Sequence, residues 1–173
     1  MTKSILQFTL LFIVLILAQV LVFNRIYLFD TAFPLAFIYF IIKLPVTLGS
    51  ISVMTLSFAL GLTVDIFSDT AGMNALACTI LAAVRTPILR LYVPREEDLT
   101  NPEPSIKSLG VSAFTKYALS ISLAYCLLFF FIESFTIAHF TRLITRALGS
   151  SILTFIIILC IDYLTNQRSE KRL

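Results

Sequence analysis

Lys3 and Arg25 enclose 21 uncharged residues, Ser4 to Asn24, and Lys43 and Asp65 enclose another 21, Leu44 to Val64. A hydrocarbon core of ~30 Å takes about 20 helical residues to cross, so either run is long enough to span a bilayer. The rest of the chain follows suit. Of its 173 residues 58% are apolar and only 13% charged, where a soluble domain has roughly 45–50% and about 25%. The mean hydropathy is +0.96. Too few residues lie outside the apolar runs to build a separate soluble domain. The expected fold is therefore all-α: a polytopic membrane helical bundle occupying residues 1–173 as one integral membrane domain.

A cleaved signal peptide is the alternative for the first run. A signal's apolar region is shorter, roughly 7–15 residues, and ends in a small-residue site. The sequence after Leu17, AQVLVFN, has no good A-x-A, which favours a retained helix. Cys78, Cys126 and Cys160 each sit inside an apolar run with no C-x-x-C or Cys/His cluster, so they read as small buried hydrophobes. A net charge of +3 points neither to nucleic acid nor to a polybasic lipid sensor.

Charges and turn signals divide the chain into six candidate membrane segments: Ser4–Asn24, Ala32–Leu44, Gly49–Phe67, Met73–Leu91, Ser112–Ile132 and Ala147–Leu164. The second is the shortest. Pro34 suits a first helical turn, with Thr31 as its cap. The 12 uncharged residues between Asp30 and Lys43 cover only about 18 Å as a helix. That segment either spans a thinned bilayer or is re-entrant. Cytoplasmic flanks carry the excess of Lys and Arg. Six spans with the N-terminus inside put ten cations in the cytoplasm and leave Arg25, Arg142 and Arg146 outside. Five spans with the N-terminus outside score the same, exchanging Lys3 for Arg25. Either way, the 93–109 connection and the 165–173 tail are cytoplasmic.

The 93–109 connection, with three prolines and mixed charge, reads as a solvated loop, or alternatively as a partner-docking one. On the other side, residues 135–147 place Ile137, Phe140 and Ile144 on one helical face and His139, Arg142 and Arg146 on another. That suits a short helix in the outer interface and puts His139 at a wet surface, not at a metal.

Catalytic signatures are missing: there is one histidine, and no G-x-S-x-G, phosphate loop or H-E-x-x-H. Two intramembrane aspartates sharing a proton would be the remaining chemistry. Asp65 and Asp162, however, fall at opposite ends of their segments, about 20 Å apart across a ~30 Å core, and Gly61–Asp65 lacks the second glycine of a G-x-G-D signature. No enzyme, cofactor or metal is expected. Arg85, 13 residues into the fourth segment, shares its depth with Asp162. Either the two form an inner-leaflet ion pair or each snorkels to the interface separately.

Around Asp65 the residues form a pattern. Ser50, Ser57, Gly61, Asp65 and Ser68 recur along one face of the third segment, and Asn74, Cys78 and Ala82 along one face of the fourth. Small faces let membrane helices approach closely. The expected result is a tight hairpin in which Asp65 caps or bonds to the Thr70–Asn74 turn and Gly72 supplies the backbone freedom. Proton or substrate binding by Asp65 is the sharper alternative.

Gly61, Leu62, Asp65, Phe67, Ser68, Gly72, Asn74, Ala75 and Leu76, followed by Ala82 and Arg85, resemble the turn of the rod shape-determining protein MreD family, as do the chain's length and span count. Asp69 and Ala71 stand where that family commonly has glycine and leucine or proline. The resemblance implies a non-enzymatic scaffold of the cell-elongation (rod) complex in the bacterial cytoplasmic membrane. It also implies work with MreC, the MreB filament, and the elongation glycosyltransferase and class B penicillin-binding transpeptidase that build lateral peptidoglycan. The implied fold is similar to the six-helix substrate-binding subunits of vitamin transporters. A transporter subunit binding a small molecule is the rival function. A ligand pocket needs convergent polar groups, and the spans offer mainly isolated ones such as Ser120, Ser122 and Tyr125. Gly61, Asp65, Ser68, Gly72 and Asn74 are therefore the expected structural turn and a possible partner contact.

Overall fold

The computed structural model describes residues 2–23, 33–93, 103–134 and 140–170. Among them are seven α-helices and no strand. They are α1 (Thr2–Leu21), α2 (Tyr39–Lys43), α3 (Ser50–Ser68), α4 (Met73–Tyr92), α5 (Ile106–Leu109), α6 (Val111–Ser134) and α7 (Phe140–Glu170), with a 3-10 turn, Ala36–Ile38, leading into α2. Arg25, Thr31 and His139 lie outside the described residues, as do 94–102 of the polar connection and 171–173 of the tail. Phe140–Ala147, expected in an outer interfacial helix, are continuous in α-helix with the last span.

Among the described residues, four helices are long and apolar enough to cross a membrane: Ser50–Ser68, Met73–Tyr92, Val111–Ser134 and the Leu143–Thr165 part of α7. α1, at 20 residues, reaches about 30 Å. Four threonine hydroxyls on these helices find their acceptor within their own helix. Thr55, Thr63, Thr115 and Thr165 donate to the carbonyls of Ile51, Ala59, Val111 and Ile161 one turn back. An exposed threonine can thus face lipid with no unpaired donor.

The second segment differs from all the others. Its helical part, Ala36–Lys43, rises only about 12–14 Å, less than half of a hydrocarbon core. Yet Leu35 to Ile42 are each at most 3% exposed. The shortest apolar stretch of the sequence is the centre of the core, packed against α1, α4 and α7.

Neighbouring side chains give its direction. Phe8 and Phe12 of α1 pack edge-on to Phe40, while Gln19, further along α1, bonds Pro34 and Ala36. α1 and the segment therefore run antiparallel. On the other side, Ser150 accepts from Phe33 N–H, Thr154 from Leu35 N–H, and Asp162 from the Tyr39 hydroxyl. α7 and the segment therefore run in the same direction.

Residues 33–35 are not helical, and backbone away from helix must find other partners in an apolar interior. It does. Phe33 N–H goes to Ser150 Oγ at 3.2 Å and Leu35 N–H to Thr154 Oγ1 at 2.9 Å. The Gln19 amide donates to Pro34 O and accepts from Ala36 N–H, both at 3.0 Å. Pro34 itself has no N–H to satisfy. An irregular strand of chain is held at membrane depth by three side chains from two helices.

Candidate functional site

Two buried polar clusters lie at different levels of the bundle. The first is the α3–α4 hairpin. α3 buries Val53, Ser57, Leu60, Gly61, Val64 and Asp65, a stripe at helical spacing that faces α4. Contact is closest at Gly61. A Cβ there would stand 2.5 Å from Asn74 O, 2.6 Å from Ala75 Cα and 2.7 Å from Ala75 N. Those are backbone atoms of the next helix, so only glycine fits.

That approach delivers Asp65 to the N-terminus of α4. Its Oδ1 accepts from Asn74 N–H at 3.1 Å, Asn74 Nδ2 at 2.9 Å and the Thr70 hydroxyl, and its Oδ2 from Ala75 N–H at 2.8 Å. The first turn of a helix leaves its N–H groups without intrahelical partners and carries partial positive charge. Here a carboxylate from the preceding helix fills that position. Asn74 then passes the network on, its Oδ1 accepting from the Tyr125 hydroxyl of α6 at 2.7 Å. Asp65 is 2% and Asn74 3% exposed.

The turn between the helices needs two left-handed residues, Asp69 (φ 54°) and Gly72 (φ 79°). Asp69 ends α3 and Gly72 precedes α4. Aspartate is among the few side-chain-bearing residues that tolerate this region. Of the other residues in the expected stripe, Ser57, Cys78 and Ala82 are buried, Ser68 is half-buried, and Ser50 is exposed. The Ser57 and Ser122 hydroxyls are buried with no hydrogen-bond partner.

The second cluster is built on the end of the second segment. Lys43 Nζ lies 3.0 Å from Asp162 Oδ1. The Tyr39 hydroxyl donates to the same oxygen at 2.9 Å, and Ile106 N–H at the start of α5 donates to Oδ2 at 3.1 Å. Arg85 faces the same end of the segment. It donates to the carbonyls of Ile42 and Leu44 and to the Tyr117 hydroxyl of α6, covering acceptors that the end of α2 leaves open.

The Arg85–Asp162 ion pair considered from the sequence is thus replaced by Lys43–Asp162. Depth along a helix put the arginine and the aspartate at one level but not side by side; the second segment threads between their partners and supplies its own lysine. The two aspartates serve separate clusters. Arg85 lies 11 residues beyond Asn74 in α4, about 16 Å along the helix, beside Leu44 and the residue that pairs with Asp162.

Sequence reasoning passed over Gln19, Tyr39, Thr154, Tyr117 and the hydrogen bond of Tyr125. Gln19 did carry a signal, as the one polar residue in the Leu10–Leu21 part of α1. Ser120, grouped with the isolated polar residues, bonds the Tyr92 hydroxyl at 2.7 Å. No group of three or more His, Cys, Asp or Glu side chains that could hold a metal occurs among the described residues.

Comparison of the chain with known protein families, with curated proteins and with solved structures found no match.

Two substitution experiments follow from the geometry. Gly61→Ala pushes α4 away and disturbs every Asp65 bond, costing at least the 1–3 kcal/mol of an overpacked core. Gly49→Ser, where an added Cβ meets nothing within 4 Å, leaves the melting temperature in detergent nearly unchanged. Equal melting of the two variants would contradict the close approach. Lys43→Met strands the buried Asp162 carboxylate at a cost of about 3–5 kcal/mol. In double-mutant cycles with Asp162→Asn, the coupling energy with Lys43→Met exceeds that with Arg85→Gln; the reverse order would restore the Arg85 pairing.

Proposed function

We propose that the chain is a non-enzymatic membrane scaffold subunit of the bacterial rod complex, of the MreD type, resident in the cytoplasmic membrane. On this reading it works through MreC, the MreB filament, the elongation glycosyltransferase and the class B penicillin-binding transpeptidase. The observation that carries the proposal is the state of Asp65. The carboxylate at the centre of the family-like motif is fully engaged by the helix it caps. A group holding two backbone amides, an asparagine and a threonine is a lock on architecture. A substrate or proton carrier needs an open coordination site instead. The same holds for Asp162 and Arg85, whose bonds go to neighbouring elements of the protein.

The proposal includes six crossings in a six-helix bundle of the kind seen in vitamin-transporter subunits. Antiparallel α1 and second segment, with α7 parallel to that segment, support an N-terminus on the side of Lys43, Asp162 and α5. The distribution of Lys and Arg assigns that side to the cytoplasm.

Burial also refines where a partner can touch the motif. Asp65 and Asn74 face inward, whereas Ile66 and Phe67 on the last turn of α3 are 71% and 62% exposed, and Asp69 and Ala71 are exposed as well. A docking helix would meet these residues and sense Asp65 only through the turn's shape.

Affinity purification from membranes, combined with photocrosslinking from position 67, tests the proposal. Recovery of MreC and the wall synthases, with crosslinks from Phe67 to MreC, is the expected result. Recovery of an ATPase module with a retained small molecule would replace the scaffold with a transporter subunit.

A further inference from the structure

The buried Lys43–Asp162 pair is closed on one side by a short, separately stabilised piece of chain. α5 is only four residues long, yet it carries a complete capping box. Ser105 Oγ accepts from Ser108 N–H, and Ser108 Oγ accepts from Ser105 N–H. The Ser108 hydroxyl also reaches back to Glu103 O at 2.8 Å, and Leu109 N–H to Ser105 O at 2.9 Å. These bonds are internal to residues 103–109 and do not depend on the Asp162 carboxylate.

It rests on Asp162. Ile106 N–H donates to Oδ2 at 3.1 Å, Ile106 and Leu109 pack against the core, and Pro104 and Ser105 are buried. Beneath this cover Asp162 is 0% exposed. At the far end of the unit, Gly110 joins α5 to α6 with φ 78°, and a Cβ added there would meet nothing within 4 Å. Glycine has the widest backbone freedom of any residue, so Gly110 is the point about which this unit can turn relative to α6.

We infer that residues 103–110 form a hinged lid over the Lys43–Asp162 pair, and that the lid's seating and the pair's strength are coupled. With the lid seated, the pair sits in a dry environment where opposite charges attract strongly. Lifting it about Gly110 removes a charge-assisted bond from the carboxylate and admits water, which weakens the attraction. Coupling of this kind is reciprocal: a change at Lys43 must alter the lid. Lys43 contacts the Asp162 carboxylate and the face of the Tyr39 ring, so the lid responds to Lys43 through Asp162. The consequence is a route by which an event on this face of the membrane loosens the end of the central buried segment. The inference rests on geometry and stands apart from the proposed rod-complex role.

The test uses the full chain in lipid nanodiscs, with Leu109→Cys as reporter, Cys160→Ala to remove an exposed thiol, and a water-soluble maleimide. Ile106→Pro deletes the N–H that reaches Asp162. Proline is tolerated at the first helical position, and Ser105 already has the extended backbone, φ −155° and ψ 166°, that a following proline requires. Ile106→Ala keeps the N–H and serves as its reference. Labelling is expected to be about tenfold faster for Ile106→Pro than for Ile106→Ala, the scale of one bond to a charged group. It is also expected to be faster for Lys43→Met than for the parent, with Cys126 unlabelled throughout. Should Lys43→Met unfold and expose Cys126, the proline–alanine comparison decides by itself. Rates within twofold in that comparison would overturn the lid.

Discussion

A segment whose helical part alone is too short to cross a bilayer lies at the centre of this protein, and the rest of the bundle is arranged to satisfy it. Backbone polar groups cannot be left unpaired in an apolar interior. Residues 33–35 have no helical ladder of their own, and the end of α2 leaves carbonyls exposed. Gln19 from α1, Ser150 and Thr154 from α7, and Arg85 from α4 supply what is missing. Each of these polar residues would be a liability on an isolated membrane helix. Together they fix the depth and direction of a segment that hydrophobicity alone could not place.

The two buried clusters divide the work. Asp65 closes the α3–α4 hairpin and, through Asn74 and Tyr125, ties it to α6. Asp162 and Lys43 tie the second segment to α7 and to the α5 turn. Asp65 bridges consecutive helices, whereas Asp162 bridges elements far apart in the chain. Buried ion pairs add little net stability compared with well-packed hydrophobic residues, but breaking one is costly. Such groups therefore act as registers, penalising every arrangement except the one that pairs them.

Much of this was legible in the sequence, for identifiable reasons. The bounds of α3, α4 and α6 followed within two residues from the lengths of apolar runs, because a bilayer imposes a fixed path length. The Asp65 hairpin was legible because its partners, Thr70, Asn74 and Ala75, lie within ten residues and share helical faces. Gly61 stood in the small-residue stripe that such contact requires. The second segment was recognised as short, but its position in the core was not foreseen. Its partners are as far as 123 residues away, and no local pattern reports them. Neither alternative weighed for Arg85, pairing with Asp162 or snorkelling separately, anticipated its bonds to Ile42, Leu44 and Tyr117, for a related reason. Counting residues gives depth along a span, whereas the choice between two cations at one depth depends on which helix lies beside which.

Hydrogen–deuterium exchange across residues 33–44, in lipid nanodiscs, tests the central role of the second segment most directly. The account predicts slow exchange at Phe33, Leu35 and Ala36, comparable with the interior of α6. Replacing Gln19 by leucine should release Ala36 selectively. Rapid exchange of residues 33–36 in the unmodified protein, at the rate of a solvated loop, would contradict it.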